Sequence, residues 1–437
     1  MSLAHYQKYK ESDNEWLGDV PAGWGLVPMK TVATCNDDVL SESTDELYSI
    51  EYVEISDIDS YSGITKTSAL QFGEAPSRAR RIIKHGDILV STVRTYLRAI
   101  AAVDNPPDNL IASTGFAVIR PRRIESGFLG YLFQAEYLVS KIISYSVGVS
   151  YPAINASELM RFGIPFPPLE EQQAIAAFLD AETARIDALI AEYETLIELL
   201  KEKRQALISH AVTKGLNPDV PMKDSGVEWL GEVPEHWSVK AIKWESTVQR
   251  GASPRPIEDP IYFDDEGEYA WVRISDVTAS NVYLWETEQR LSHIGEKLSV
   301  KLQPGTLFLS IAGSVGKPCI TEIKCCIHDG FVWFPAWRKS TKFIYYVFAS
   351  GQPYKGLGKM GTQLNLNTDT IGSIYIGMPS LEEQCAIAAF LDTETARMDA
   401  LVQEAEIGIN LLRERRTTLI SDAVTGKIDV RDWQEVA

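Results

Sequence analysis

One stretch of this chain is written twice. Residues 169–189 read LEEQQAIAAFLDAETARIDAL and residues 381–401 read LEEQCAIAAFLDTETARMDAL, so the copies differ at three of twenty-one positions and lie 212 residues apart. Apolar residues recur at Leu179, Ile186, Tyr193, Leu200 and Leu207, with Leu189 and Leu196 between them. That is a heptad seam. The second copy keeps the register at Leu391, Met398, Ala405, Leu412 and Leu419. Pro167-Pro168 stops the chain before the first copy, Glu170 and Glu171 suit the positive end of a helix, and Ser380 with Glu383 fits a capping box on the second. Gly215 and Gly426 stand where a left-handed residue would end each helix. The roughly 44 residues between these stops make a rod of about 65 Å, well beyond the usual helix of a globular domain. A single seam needs a partner, and the nearest is the other copy, so the two helices are expected to pair as an antiparallel coiled coil.

A second repeat shows that more than a helix was copied. Residues 15–21 read EWLGDVP with Trp24 following, and residues 228–234 read EWLGEVP with Trp237 following, an offset of 213. The chain is therefore a tandem duplication of about 210 residues, each unit an opening motif, a globular segment and a long helix. Within the globular segments short strands are expected at 52–58 and 271–277, at 85–91 and 304–310, and at 115–119 and 330–334. Shorter helices are expected at 128–144 and 342–349. The fold class is α+β, with two strand-rich mixed domains joined by two long antiparallel helices. The expected boundaries are 1–168 for the first domain, 169–215 for the first helix, 216–379 for the second domain, 380–426 for the second helix, and 427–437 for a tail.

The helices are nearly identical between halves, whereas connecting segments such as 78–84 and 294–300 share almost nothing. That contrast suggests one scaffold carrying two different readers. The net charge of -18 argues at first against nucleic acid. Attraction to phosphate is local, however, and between Arg78 and Arg123 nine basic residues face three acidic ones. No apolar run approaches the length of a membrane span and no leader pattern opens the chain, so a cytoplasmic protein with reduced cysteines is expected.

Four local patterns resemble catalytic motifs and fail on inspection. Residues 356–361 fit GxGxxG but lack the strand before and the helix after. Residues 104–108, DNPPD, lack the aromatic that should follow the prolines to stack on a flipped base. Residues 313–317, GSVGK, lack the spacing of a phosphate loop. Cys319, Cys325, Cys326 and His328 lack paired zinc-site spacing, and no metal is expected.

With these features in place the chain closely resembles the specificity subunit of type I restriction-modification enzymes. The resemblance rests on the paired LEEQ…AIAAFLD…DAL helices running on to LIS and AVT, and on the EWLG and VP openings, and it covers residues 12–427. It implies a non-catalytic subunit in which each globular segment reads one half of a split double-stranded DNA site, while the helices set the spacing and hold two methyltransferase subunits. Motor-nuclease restriction subunits would join that core, and S-adenosylmethionine, ATP and Mg would reside on the partners, with no cofactor on this chain. Base readout calls for Arg or Lys on guanine and Asn or Gln on adenine. The candidates are Arg78, Arg80, Arg81, Arg94, Arg98, Tyr151 and Asn155 in the first domain, and Arg250, Arg255, Ser314, Lys317, Gln363, Asn365 and Asn367 in the second. Arg98 and Lys317 share an offset of 219, as their flanking strands do, and are expected to share a phosphate role. Ile175, Phe178, Ile387 and Phe390 add apolar surface beyond the seam and are expected to dock the partners. The competing reading from another class is a coiled-coil assembly adaptor that reads no DNA; a third, a self-sufficient methyltransferase, lacks its motifs.

Overall fold

A computed structural model describes residues 4–434 except 13, 60, 356 and 358–365. The chain divides into two compact units, Met1–Tyr193 with Glu406–Ala437, and Glu194–Ala405. The two long helices run Leu169–Lys214 and Leu381–Val424. Each contributes one half to each unit, so the helices are not separate domains as the sequence boundaries had them.

Both glycine stops hold. Gly215 takes φ +74° and its N–H reaches Ala211 O, while Gly426 takes φ +75°. At the latter, Gly426 N–H bonds Ala423 O and Lys427 N–H bonds Asp422 O, the paired bonds of a Schellman end. The capping box at the second helix is half made. Ser380 Oγ accepts from Glu383 N–H at 3.2 Å, but the Glu383 carboxylate turns away to Trp237 and His236.

Within each unit the helix segments run antiparallel. In the first, Asp187 meets Arg416 Nε at 3.2 Å and Tyr193 lies against Gly408. In the second, Asp399 meets Arg204 Nε at 3.1 Å. The seam keeps Leu179, Ile186, Leu391, Met398 and Ala405 inside, but its other row is Ile190, Ile197 and Ile409. Leu189 and Leu196 are exposed. A shift of one residue turns a side chain by about 100° on a helix, so the neighbouring isoleucines face inward in place of the leucines.

The globular parts share a topology. In the first unit one sheet orders Ile100–Ala102, Ile88–Ser91, Phe116–Pro121 and Ala33–Cys35, and another orders Ser68–Gln71, Ser49–Val53, Leu110–Ser113 and Ala79–Ile82. In the second unit Pro318–Thr321, Thr306–Ser310, Phe331–Trp333 and Gln249–Arg250 repeat the first order with Tyr283–Leu284 added at the edge. Gln289–Leu291, Tyr269–Val272, Cys325–Ile327 and Val300–Leu302 repeat the second. In each of the latter sheets the middle pair is parallel and the outer pairs antiparallel.

Three expected elements differ. The strands expected at 52–58 and 271–277 end at Val53 and Val272 and give way to short helical turns, Ile55–Asp57 and Ile274–Ala279. The reason is local: Asp57 accepts the Glu54 N–H at 3.0 Å and Asp276 accepts the Arg273 N–H at 2.7 Å, and this side-chain cap competes with the strand ladder. The helix expected at 128–144 is two helices, Ser126–Gln134 and Glu136–Ser144, separated where Ala135 is extended with ψ 132°.

The repeated helix motif fastens each domain to its helix by the same bonds. Gln172 accepts Glu125 N–H and donates to Pro167 O, and Gln384 accepts Ser340 N–H and donates to Pro379 O. Tyr131 Oη donates to Asp180 and lies 3.1 Å from Thr183; Tyr346 does the same with Asp392 and Thr395, the latter at 3.4 Å. Trp24 Nε1 donates to Glu171 at 2.9 Å and Trp237 Nε1 to Glu383 at 3.0 Å. Near-identity of the repeats is thus reflected in these shared socket bonds.

The apolar pairs proposed for docking are largely used in those sockets. Ile175, Phe178 and Ile387 are buried in the domain cores, with Phe178 set edge-on to Trp433 at 5.4 Å. Phe390, at 37% exposure, alone of the four faces solvent. A helix leaving a domain buries its apolar flank on that domain first, which corrects the expectation of two equal open patches.

Candidate nucleic-acid interface

In the first domain a cleft of about 640 Å³ opens between the end of Ser49–Val53 and the loop after Ile88–Ser91, with Arg78, Arg94, Tyr151 and Glu54 on its walls. Arg78 is fixed from two sides. Its Nε donates to Tyr52 Oη at 3.1 Å and its Nη2 to Glu54 at 2.6 Å, and these partners raise the guanidinium pKa further. The side chain remains 57% exposed. Arg94 adopts φ +51°, a region costly to a residue with a Cβ. Arg94 N–H bonds Pro152 O at 2.7 Å, and the guanidinium lies 4.5 Å above the exposed Tyr151 ring. A planar cation stacked on an aromatic keeps its donor edge available while losing little freedom.

The remaining first-domain candidates are engaged otherwise. Arg98 gives both terminal nitrogens to Glu136, at 2.6 and 2.9 Å. Arg80 sits over Phe72 and bonds Ala79 O, and Arg81 is half-buried. Asn155 is exposed at the start of Ala156–Leu159.

The second domain has a cleft of about 790 Å³ walled by Ser253, Arg255, Trp271, His328 and Asp329. Asp329 organises it. Its Oδ2 accepts from Arg255 Nη2 at 3.0 Å, its Oδ1 accepts from Ser253 Oγ at 3.1 Å, and its backbone carbonyl accepts from Arg250 Nε. The carboxyl is held below its usual range by Ser253 and the two guanidiniums despite partial burial, which opposes this. Burial also lowers the His328 pKa; Nδ1 accepts the Gly330 N–H at 2.8 Å, leaving Nε2 as the donor of the neutral ring. Arg255 extends to 78% exposure, with its own carbonyl held by Tyr262 Oη at 3.0 Å.

Ser314 and Lys317 are tied to a neighbouring turn: Ser314 Oγ lies 2.7 Å from Thr278 Oγ1, and Lys317 Nζ donates to Thr278 O at 2.8 Å. Arg98 and Lys317, expected to share a phosphate role, thus make two different internal bonds, one to a carboxylate and one to a backbone carbonyl. Asn367 caps the helix Thr368–Gly372 by accepting from Thr370 N–H at 2.8 Å. Gln363 and Asn365 lie outside the described residues, as does most of the GxGxxG segment. Sequence reading missed Glu54, Tyr52, Asp329 and Trp271. Glu54 and Trp271 sat in segments read only as strands, and Asp329 was passed over beside His328.

Equivalent positions carry unlike chemistry. The residue before the short helical turn is Glu54 in the first domain and Arg273 in the second, where it pairs with Glu288 at 3.2 Å. Cys319, Cys325 and Cys326 are buried strand residues whose thiols burial pushes up to about 12, and no metal-holding cluster occurs among the described residues. Nor is any described helix long and apolar enough to cross a membrane.

The chain thus holds two domains of one topology with dissimilar polar clefts, each packed on segments of the same two long helices. Comparison places it further. Residues 43–199 and 234–410 match the type I restriction modification DNA specificity domain, and the chain belongs to that family. It is 25% identical to the putative type I restriction enzyme MjaX specificity subunit of Methanocaldococcus jannaschii, over 97% of this chain and 99% of that protein. It is 26% identical to the EcoKI specificity subunit of Escherichia coli K12 over 61% of this chain and 56% of that one. Among solved structures, a chain described under complex assembly and conformational transition of the type I R-M system aligns with TM-score 0.76 at 23% identity, covering 94% of this chain and 99% of that one. The HsdS subunit of Thermoanaerobacter tengcongensis aligns with TM-score 0.56 at 22% identity, covering 94% and 98%. This chain is a DNA-recognition subunit of the type I restriction-modification kind.

Proposed function

We propose that each domain reads one half of an asymmetric, bipartite double-stranded DNA site and that the helix pair sets the distance between the halves. The observation carrying this is the contrast between duplicated sockets, which share their glutamine, tyrosine and tryptophan bonds, and duplicated clefts with different walls. Two closely matched sockets suit a common spacer, while unlike clefts read unlike sequences. Half-sites on one face of the duplex lie about 34 Å apart or a multiple of it, within the reach of helices of 46 and 44 residues. The acidic balance suits a reader whose partners supply much of the phosphate contact.

Two methyltransferase subunits are the partners that the pseudo-symmetric helices suit, with motor-nuclease subunits joining them, and S-adenosylmethionine, ATP and Mg belong to those subunits. The docking surface includes Phe390 and the exposed Leu189, Leu196 and Leu199. The test is co-expression with the cognate adenine methyltransferase followed by methylome sequencing. A split consensus with a fixed gap is expected; methylation without one would leave the assembly-adaptor reading in its place. S-adenosylmethionine bound by the isolated chain would contradict the assignment of that cofactor to the partner.

A further inference from the structure

The two clefts differ in nearly every wall residue, yet each offers one exposed guanidinium pinned to a carboxylate of its own domain: Arg78 to Glu54, and Arg255 to Asp329. They are not equivalent by the duplication, since Arg78 follows its carboxylate by 24 residues and Arg255 precedes its own by 74. The same device is built twice from different parts of the fold.

Its chemistry selects a ligand. Pairing with a carboxylate cancels much of the arginine's net charge, so the pair attracts phosphate less than a solitary lysine or arginine would. What survives is direction. In Arg78 Nε donates to Tyr52 and Nη2 to Glu54, which leaves Nη1 and the second Nη2 hydrogen as a fork for a ligand. Nη1 makes no hydrogen bond among the described residues. In Arg255, among the described residues, only Nη2 makes a hydrogen bond, and the backbone behind it is fixed by Tyr262 and flanked by Pro254 and Pro256, which restrict their neighbours. A preoriented planar fork with little net charge matches two adjacent neutral acceptors in one plane. In the major groove that pattern is the O6 and N7 of guanine. Arg98 shows the contrast: both its terminal nitrogens go to Glu136, closing the same fork from the front.

Resting on the bipartite recognition proposed above, we infer that Arg78 and Arg255 are the guanine readers of the two half-sites, positioned by Glu54 and Asp329, so that each half-site contains at least one G·C pair read in the major groove. The experiment uses the full chain in complex with its methyltransferase subunit. Duplexes carrying the methylome consensus are substituted one guanine at a time with 7-deazaguanine, which lacks the N7 acceptor, and affinity is measured at fixed salt for the wild type, Arg78→Ala and Arg255→Ala. In the wild type one guanine in each half should be sensitive by several-fold. Arg78→Ala should weaken binding by about 5- to 150-fold, relax the consensus at one guanine of one half only, and make that guanine indifferent to the deaza substitution; Arg255→Ala should do so in the other half. Glu54→Gln should widen the base preference at the Arg78 position. A wild-type consensus lacking guanine on either strand of a half-site, or containing guanines all indifferent to loss of N7, overturns the inference even if a variant fails to fold. So does either Ala variant that keeps its consensus unchanged. Absence of any split consensus in the wild type instead removes the recognition reading beneath it.

Discussion

The two sockets allow a comparison inside one molecule. Glu171 is almost buried and accepts two bonds, from Trp24 Nε1 at 2.9 Å and from Tyr6 Oη, and both donor residues are themselves buried. Glu383 accepts from Trp237 Nε1 at 3.0 Å and from His236, but the histidine is half exposed and would turn to water. Glu171→Ala therefore strands two buried donors and Glu383→Ala only one. At about 1–3 kcal/mol for each unsatisfied buried group, the expected losses are about 2–6 and about 1–3 kcal/mol. For a unit of this size a loss of 1 kcal/mol lowers Tm by roughly 2–4 °C. Hydrogen exchange read by mass spectrometry across a urea series separates the units, because each variant should lose protection in its own. Equal losses in the two variants, or a loss for Glu171→Ala below about 1 kcal/mol, would refute the argument that buried donors dominate the socket.

Three further outcomes follow from charges and lengths. Arg120 binds the fully buried Asp87 through two bonds of 2.7 Å and reaches Asp38 at 2.6 Å. Arg120→Met should destabilise the first unit by about 3–5 kcal/mol by leaving that buried carboxylate without its cation, with only the Lys84 N–H still bonded to it, as urea unfolding would show; a change below 1 kcal/mol would count against it. Asp38 is held near pKa about 2, chiefly by Lys84 and then by Arg120. A carboxyl depressed below its unfolded value stabilises above that value and ceases to do so as pH falls through the folded one. The Tm gap between wild type and Asp38→Asn should thus shrink between about pH 4 and about pH 2; a constant gap would disprove it. Removing one heptad from both long helices shortens the spacer by about 10 Å, and the methylome gap should contract by about three base pairs or assembly should fail. Full activity at the original gap would rule out the ruler.

What local rules encode was legible in the sequence. The offset repeats gave the duplication, the glycines gave both helix ends, and the turn-then-apolar runs gave the core strands at Ile88–Ser91 and Thr306–Ser310. Even the strand ends at Val53 and Val272 turn on a local contest, in which an aspartate three residues on captured a backbone N–H that the alternation had assigned to a ladder. The seam was placed one residue off in its second row because leucines and isoleucines alternate closely enough to fit either face, and burial alone separates them.

The recognition clefts were legible only as a supply of arginines. Which of them keep an open donor edge depends on partners 24 to 74 residues away, brought together by the fold. Arg98 is closed by Glu136, Arg78 is aimed by Glu54 and Tyr52, and Lys317 is spent on a neighbouring carbonyl. The helical repeat that organises the chain was visible at once, because a helix makes its bonds four residues apart. The directions in which its two domains point their donors were decided by tertiary structure, because a hydrogen bond between distant residues leaves no period in the sequence.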